Sequence, residues 1–192
     1  AYRRWLLRED LARLNRCVPK GGRLLDVGCG IGDIVALAGT IGIEATGLEI
    51  SPDAVRYARE IRGLDVHQGK VEQCDLPSAS FDAVSLFHVL EHVDEPISFL
   101  RAIRRLLKPG ARVIIQVPNF ASFQARLFGS GWYALDPPRH LQHFSPDSLR
   151  AALLAAGFQC ETEEYDSFRC NPVSFATSLM PDSANQVARA SG

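Results

Sequence analysis

Several things are scarce in this sequence. Its 192 residues contain one methionine, Met180, two tryptophans and five cysteines, Cys17, Cys29, Cys74, Cys160 and Cys170. The cysteines are odd in number and form no C-x-x-C pair. That excludes a disulfide framework or a zinc knuckle and makes a reducing cytoplasm the expected compartment. No stretch approaches the roughly 18 uninterrupted apolar residues that a bilayer span needs. A basic-then-apolar secretory leader is absent, as are internal repeats and low-complexity tracts. Net charge is nearly absent too: 21 Lys and Arg against 22 Asp and Glu leave a formal charge of -1. A disordered chain, an integral membrane helix bundle and a general nucleic-acid binder are therefore excluded. The start at Ala1, with Met180 as the only methionine, leads us to expect a trimmed or processed piece.

What is present begins with 46% apolar residues, enough for one domain with a substantial core. The charge is uneven. Residues 1–23 carry seven cations (Arg3, Arg4, Arg8, Arg13, Arg16, Lys20, Arg23) and two acids (Glu9, Asp10), a net +5, and the remainder nets -6. Leu7, Leu11 and Leu14 recur at helical spacing, so residues 5–16 are expected to form an amphipathic helix with an arginine-rich outer face. That face is read as solvated surface or as a cap attracting an anionic acceptor. Strands are expected at Arg23–Val27, Glu44–Ile50, Asp65–Gln68, Phe81–Phe87, Arg112–Val117 and Gln159–Tyr165. Helices are expected over Ile31–Ile41, from Pro52 to Arg62, over Pro96–Leu107, and from Ser145 to Ala156. Ser51-Pro52-Asp53 and Ser145-Pro146-Asp147 are helix starts: a serine cap, a proline at the first position and an acid facing the positive dipole end. Lys108-Pro109-Gly110 is expected to stop its helix and turn. This alternation implies an α/β fold, a doubly wound, mostly parallel sheet with helices on both faces. We divide the chain into an N-terminal cap helix (1–20), the main domain (21–170) with a long insertion (118–144), and an irregular C-terminal tail (171–192).

The run Leu24-Leu25-Asp26-Val27-Gly28-Cys29-Gly30-Ile31-Gly32-Asp33 takes a strand through three alternating glycines into a helix. Glycines belong where a backbone turns sharply against a ligand, and the helix behind them offers free N–H groups. Glu49 ends the next strand, 21 residues after Gly28, where a carboxylate can accept two hydrogen bonds from a ribose diol. These residues point to a ligand containing adenosine. A dinucleotide site would read G-x-G-x-x-G, but here the third glycine comes one position early.

With that loop followed by Gly47-Leu48-Glu49-Ile50-Ser51, the sequence resembles the class I S-adenosylmethionine-dependent methyltransferases. The likeness continues through Phe81-Asp82-Ala83-Val84, Leu90-Glu91-His92-Val93 and Leu106-Leu107-Lys108-Pro109-Gly110, over about residues 20–165. Asp136-Pro137-Pro138-Arg139-His140-Leu141, with His143-Phe144-Ser145, resembles a bacterial subgroup similar to the ubiquinone-pathway O-methyltransferases. The resemblance implies a seven-stranded-type sheet, its last strand truncated or missing here, with Gln159–Tyr165 and Asn185–Ala190 as the candidate closing pair. It implies that Asp26 and the backbone of Gly28, Cys29, Gly30 and Gly32 hold the methionine end of S-adenosylmethionine. Glu49 would hold the ribose and Ile50 would pack on adenine. Val71 and Glu72 would line the adenine edge, although Lys70 stands where relatives often have an acid. Phe87 and His88 would face the methyl group. Cys29 is read as a small packing residue.

Four of the five histidines can converge with a carboxylate. His88, Glu91 and His92 lie at i, i+3, i+4, and His140 and His143 lie in the insertion. In one reading a histidine is the general base that takes a proton from an acceptor hydroxyl. In another the cluster holds a divalent cation, as in the E-x-x-E-H of some ubiquinone-pathway enzymes and small-RNA 2′-O-methyltransferases; here His88 replaces the first Glu, which suits a transition metal better than magnesium. In the third, Glu91 and His92 only hold the loop by hydrogen bonds. The metal is not favoured. His140 and His143 are read as lid or acceptor contacts, and Trp132-Tyr133 as a stacking or pocket-wall pair. The expected activity is methyl transfer to a small-molecule hydroxyl. The alternatives are a nicotinamide-dependent oxidoreductase on the same loop and a non-catalytic cofactor-binding module.

Overall fold

A computed structural model describes residues 8–165. Helix α1 (Arg8–Cys17) leads into β1 (Arg23–Val27), α2 (Asp33–Gly39) and β2 (Glu44–Glu49). Next come α3 (Pro52–Arg56), which widens into a π turn at Tyr57–Ile61, then β3 (Val66–Gln68) and β4 (Phe81–Phe87). The second half has α4 (Pro96–Leu106), β5 (Leu107–Gln116), α5 (Phe123–Phe128) and α6 (Pro146–Ala155). The five strands form one parallel sheet in the order β3-β2-β1-β4-β5. The order reverses between β1 and β4, so the loops leaving those two strands splay apart and open a cleft at their carboxyl ends.

Strand alternation explains how both faces of the sheet become covered. Successive side chains point to opposite sides, so Leu24 and Ala83 go one way and Leu25 and Val84 the other. Leu24 and Ala83 join Leu14 and Val18, at and just after α1, and Ile34 and Ala38 of α2. Leu25 and Val84 join Phe99, Leu100 and Ile103 of α4 and Ala152 of α6. Ile103 is fully buried, and truncating such a side chain to Ala typically costs about 2–5 kcal/mol.

Both serine caps form. Ser51 Oγ accepts from Ala54 N. Ser145 and Ser148 make a reciprocal capping box: Ser145 Oγ accepts from Ser148 N at 3.2 Å, and Ser148 Oγ accepts from Ser145 N at 2.9 Å.

The structure corrects two expectations. Residues 159–165 are irregular rather than a strand. A strand needs a ladder partner, and among the described residues this segment is held instead by side-chain charges. Glu161 pairs with Arg112 at 2.9 Å, Glu163 with Arg150, and Glu164 with Arg13 at 2.8 Å and Arg16 at 2.6 Å. Its proposed partner, Asn185–Ala190, and the tail at 171–192 lie outside the described residues, as do residues 1–7. Second, Lys108-Pro109-Gly110 opens β5 rather than preceding it: the register slips between Phe81 and Ala83, and Lys108 Nζ reaches Asp82 at 2.7 Å. The long insertion holds short helical pieces, α5 and two 3-10 turns (Gly129–Gly131, Tyr133–Leu135), and its ends meet at an Asn119–Phe144 bridge.

Candidate active site

The glycine loop lies at the carboxyl end of β1, in the cleft. Gly28, Gly30 and Gly32 have φ of 70, 54 and 81°, conformations that a side chain resists. Their reasons differ. A Cβ on Gly28 would lie 2.6 Å from Val89 Cγ2, and one on Gly32 would lie 2.5 Å from Leu64 Cδ1. These two glycines let elements pack. A Cβ on Gly30 would meet nothing within 4 Å, so this glycine leaves room for a ligand. Gly47, not singled out from the sequence, lets Cys29 pack: a Cβ there would lie 2.5 Å from Cys29 Sγ. A glycine inside a strand was the available signal. Burial pushes the Cys29 thiol up to about 12, so it is a packing group and no nucleophile.

Glu49 is tied to the loop. Its Oε2 accepts from Gly30 N at 2.8 Å and its Oε1 from Ser51 N at 2.9 Å. A carboxylate has about four acceptor positions, so two remain for a diol. Ile50 beside it is 66% exposed, an apolar side chain left uncovered at the cleft edge. Val71 is sealed in the core and offers the cleft little surface, whereas Glu72 is exposed. Leu48, Gln68, Gly69, Lys70, Gln73 and Cys74 line a small hollow beyond β3. Three glycines in left-handed conformations, open space above Gly30 and a fixed carboxylate fit the adenosine and methionine parts of S-adenosylmethionine.

Asp26 stands directly opposite Gly47 on β2 and Ser85 on β4. It is buried, and Ser85 Oγ donates to its Oδ1 at 2.6 Å. Burial raises its carboxyl to about 7, the Ser85 bond opposes that rise, and the like charges of Asp10 and Glu49 add to it.

The histidines come from two places. His88 follows β4 with φ of 58° and is held by its own N–H donating to Gln116 O at 2.9 Å. Its Nδ1 lies 3.3 Å from Glu91 Oε1. Glu91 and His92 lie on a single 3-10 turn, Leu90–His92, rather than a longer helix. Glu91 is 1% exposed, and among the described residues its Oε2 has no hydrogen-bond partner. Its main-chain oxygen accepts from Leu141 N at 2.8 Å and Gln142 N at 3.0 Å, which fastens the insertion to the turn.

His92 Nδ1 lies 2.8 Å from Arg139 O, and His140 Nδ1 lies 2.8 Å from Ala134 O. A carbonyl only accepts, so these nitrogens carry the proton and Nε2 of each neutral ring is an acceptor. The two rings meet edge-on at 4.7 Å. One ligand atom from each of Glu91, His92 and His140 falls within 4.8 Å of the others. His143 stands apart from this triple, bonded through Nε2 to Leu135 O at 3.0 Å and packed against Phe120. Trp132 is 5% exposed and finds no partner for Nε1 among the described residues, and Tyr133 beside it is half exposed.

The comparisons with known proteins fit this geometry. Residues 1–163 match the model of a methyltransferase domain family. The chain belongs to that family. A ubiquinone biosynthesis O-methyltransferase of Xanthomonas axonopodis is 33% identical over 162 residues, which are 76% of this chain and 66% of that protein. One from Xanthomonas campestris is 31% identical over 171 residues, 81% of this chain and 70% of that protein. The chain thus spans less than two thirds of the first relative's length. Among solved structures, a SAM-dependent methyltransferase of Thermotoga maritima, described as a possible histamine N-methyltransferase, is 26% identical. That match covers 82% of this chain and 73% of the other at a TM-score of 0.65. The nicotinamide dehydrogenase alternative finds no counterpart among these methyltransferases. No helix among the described residues is long and apolar enough to cross a membrane.

Proposed function

We propose that this methyltransferase domain moves the methyl group of S-adenosylmethionine to a hydroxyl oxygen of a small acceptor, with His88 taking the hydroxyl proton. The observation that carries this reading is the His88–Glu91 pair at the carboxyl end of β4, joined to the glycine loop by Val89 against Gly28. When bound, the cofactor supplies a methyl carbon on a sulfonium, already activated for in-line attack. The chain therefore has to align the acceptor, exclude water and remove one proton. Glu91 Oε1 opposite Nδ1 favours the proton there and assigns acceptance to His88 Nε2. Relatives named O-methyltransferases support oxygen as the methylated atom. His140 and His143, on the insertion that Glu91 anchors, would contact the acceptor, with Tyr133 stacking on it. Glu49 would hold the ribose and Ile50 one face of adenine.

In the arginine-rich cap, Arg13 and Arg16 pair with Glu164. His88→Gln is expected to lower methyl transfer by about 10²–10⁴-fold across a panel of hydroxylated acceptors while S-adenosylhomocysteine binding stays unchanged. Full activity in that variant rules His88 out as the base.

The convergence of Glu91, His92 and His140 supports a second reading, a divalent cation that lowers the acceptor's pKa. Two imidazole acceptors and a carboxylate oxygen without a partner among the described residues fit zinc, manganese or iron(II) better than magnesium. Elemental analysis of the purified chain, with activity measured before and after chelation, decides it: unchanged activity in a metal-free chain removes the cation.

A further inference from the structure

Strand β4 reads Phe81-Asp82-Ala83-Val84-Ser85-Leu86-Phe87, and Ser85 in its buried middle is 0% exposed. A buried hydroxyl is costly without a partner, so a serine here needs a reason. The sheet register supplies one. Val66, Gly47, Asp26, Ser85 and Ile114 stand side by side across the five strands. Side chains level with one another in a parallel sheet leave on the same face, about 4.8 Å apart, so even a short side chain reaches its neighbour. Ser85 Oγ donates to Asp26 Oδ1 at 2.6 Å, a length typical of a hydrogen bond to an ionised oxygen. The other flank of Asp26 is closed differently. Gly47 has no side chain, and Cys29 Sγ lies 2.5 Å from where its Cβ would stand. Among the described residues the Asp26 carboxyl has no other hydrogen bond, so Oδ2 is the oxygen left over, two residues before Gly28.

We infer that Ser85 is a positioning residue of the cofactor site: its hydroxyl fixes the Asp26 side chain so that Oδ2 faces the methionine end of S-adenosylmethionine, while Ser85 itself touches no ligand. The inference rests on the reading of the glycine loop as an S-adenosylmethionine site. It divides the labour along the ligand. Glu49, held by Gly30 N and Ser51 N, serves the ribose, and the Asp26–Ser85 pair serves the amino-acid end. Without the hydroxyl, nothing on the β4 flank holds the carboxyl in one rotamer, and a buried carboxylate loses the donor that offsets its desolvation. The loss therefore falls on the part of the ligand that meets Asp26 and spares the adenosine.

Calorimetry tests this with three probes: S-adenosylmethionine, S-adenosylhomocysteine and 5′-methylthioadenosine, which keeps the adenosine and the sulfur but lacks the amino-acid end. Ser85→Ala is expected to weaken the first two by about tenfold and to leave methylthioadenosine within about twofold of wild type. Ser85→Thr, which keeps the hydroxyl, should restore both to within about threefold. In a chain already carrying Asp26→Asn, adding Ser85→Ala should change S-adenosylhomocysteine affinity little, because the effect runs through the lost carboxylate. Equal weakening of all three probes by Ser85→Ala, no weakening of any, or a full further loss in the Asp26→Asn background overturns the inference. Urea unfolding establishes that each variant is folded. If Ser85→Ala is not, Ser85→Cys, of similar size with a weaker donor, takes its place under the same criteria. A wild-type chain that binds none of the three probes instead overturns the reading of the glycine loop itself.

Discussion

Gly28→Ala is the substitution whose outcome the geometry constrains most tightly. Two costs combine. At φ of 70° an alanine occupies the left-handed region, which costs roughly 1–2 kcal/mol. Its Cβ would also lie 2.6 Å from Val89 Cγ2, and overpacking of this kind costs about 1–3 kcal/mol. We expect a total destabilisation of about 2–5 kcal/mol. Val89 leads into the turn bearing Glu91, so the displacement should also disturb the His88–Glu91 pair and lower turnover. Val89→Ala in the same chain removes the obstructing methyl groups and should recover the overpacking part, leaving the backbone part. Gly30→Ala is the control: it has φ of 54° and open space around its Cβ, so it should cost only the backbone strain while obstructing the cofactor. Urea unfolding of the two single variants, the Val89→Ala variant and the double variant gives the coupling directly. Equal destabilisation by Gly28→Ala and Gly30→Ala, with no coupling to Val89, refutes the reasoning.

Three further outcomes follow. Asp26 keeps its proton to about pH 7 in the folded chain, while the unfolded carboxyl loses it near pH 4, so stability should fall as pH rises between those values. The slope approaches about 1.4 kcal/mol per pH unit and sums to about 4 kcal/mol; Asp26→Asn should flatten it in urea titrations, and parallel profiles speak against the shift. Ser145→Ala removes one half of a capping box and should cost about 1 kcal/mol in the same assay, with no loss of cofactor affinity. The segment 159–165 is held by exposed arginine–glutamate pairs, so its protease resistance should drop in high salt while the sheet stays intact; salt-independent cleavage contradicts that picture.

Local chemistry explains which parts could be read from the residues alone. The serine caps and the strand-to-glycine turn carry their signals within a few positions, and both form as expected, with Glu49 tied to the loop through Gly30 N. Gln159–Tyr165 has strand-like composition, but a strand also needs a neighbour, and that depends on distant chain. His88, Glu91 and His92 look equivalent by spacing, yet the left-handed turn at His88 and the short 3-10 turn give them different partners: Glu91 for His88, Arg139 O for His92. Val71, expected on the adenine edge, has its side chain buried in the core.

Ligand binding to the purified chain, measured by calorimetry with S-adenosylmethionine, S-adenosylhomocysteine and NADH in turn, tests the central claim most directly. Both sulfur ligands are expected to bind and NADH is not. Glu49→Gln, which keeps the shape but leaves one oxygen where two accept, should weaken both sulfur ligands by about tenfold or more. Tight NADH binding without any S-adenosylhomocysteine binding, or a Glu49→Gln chain that binds like wild type, contradicts the account.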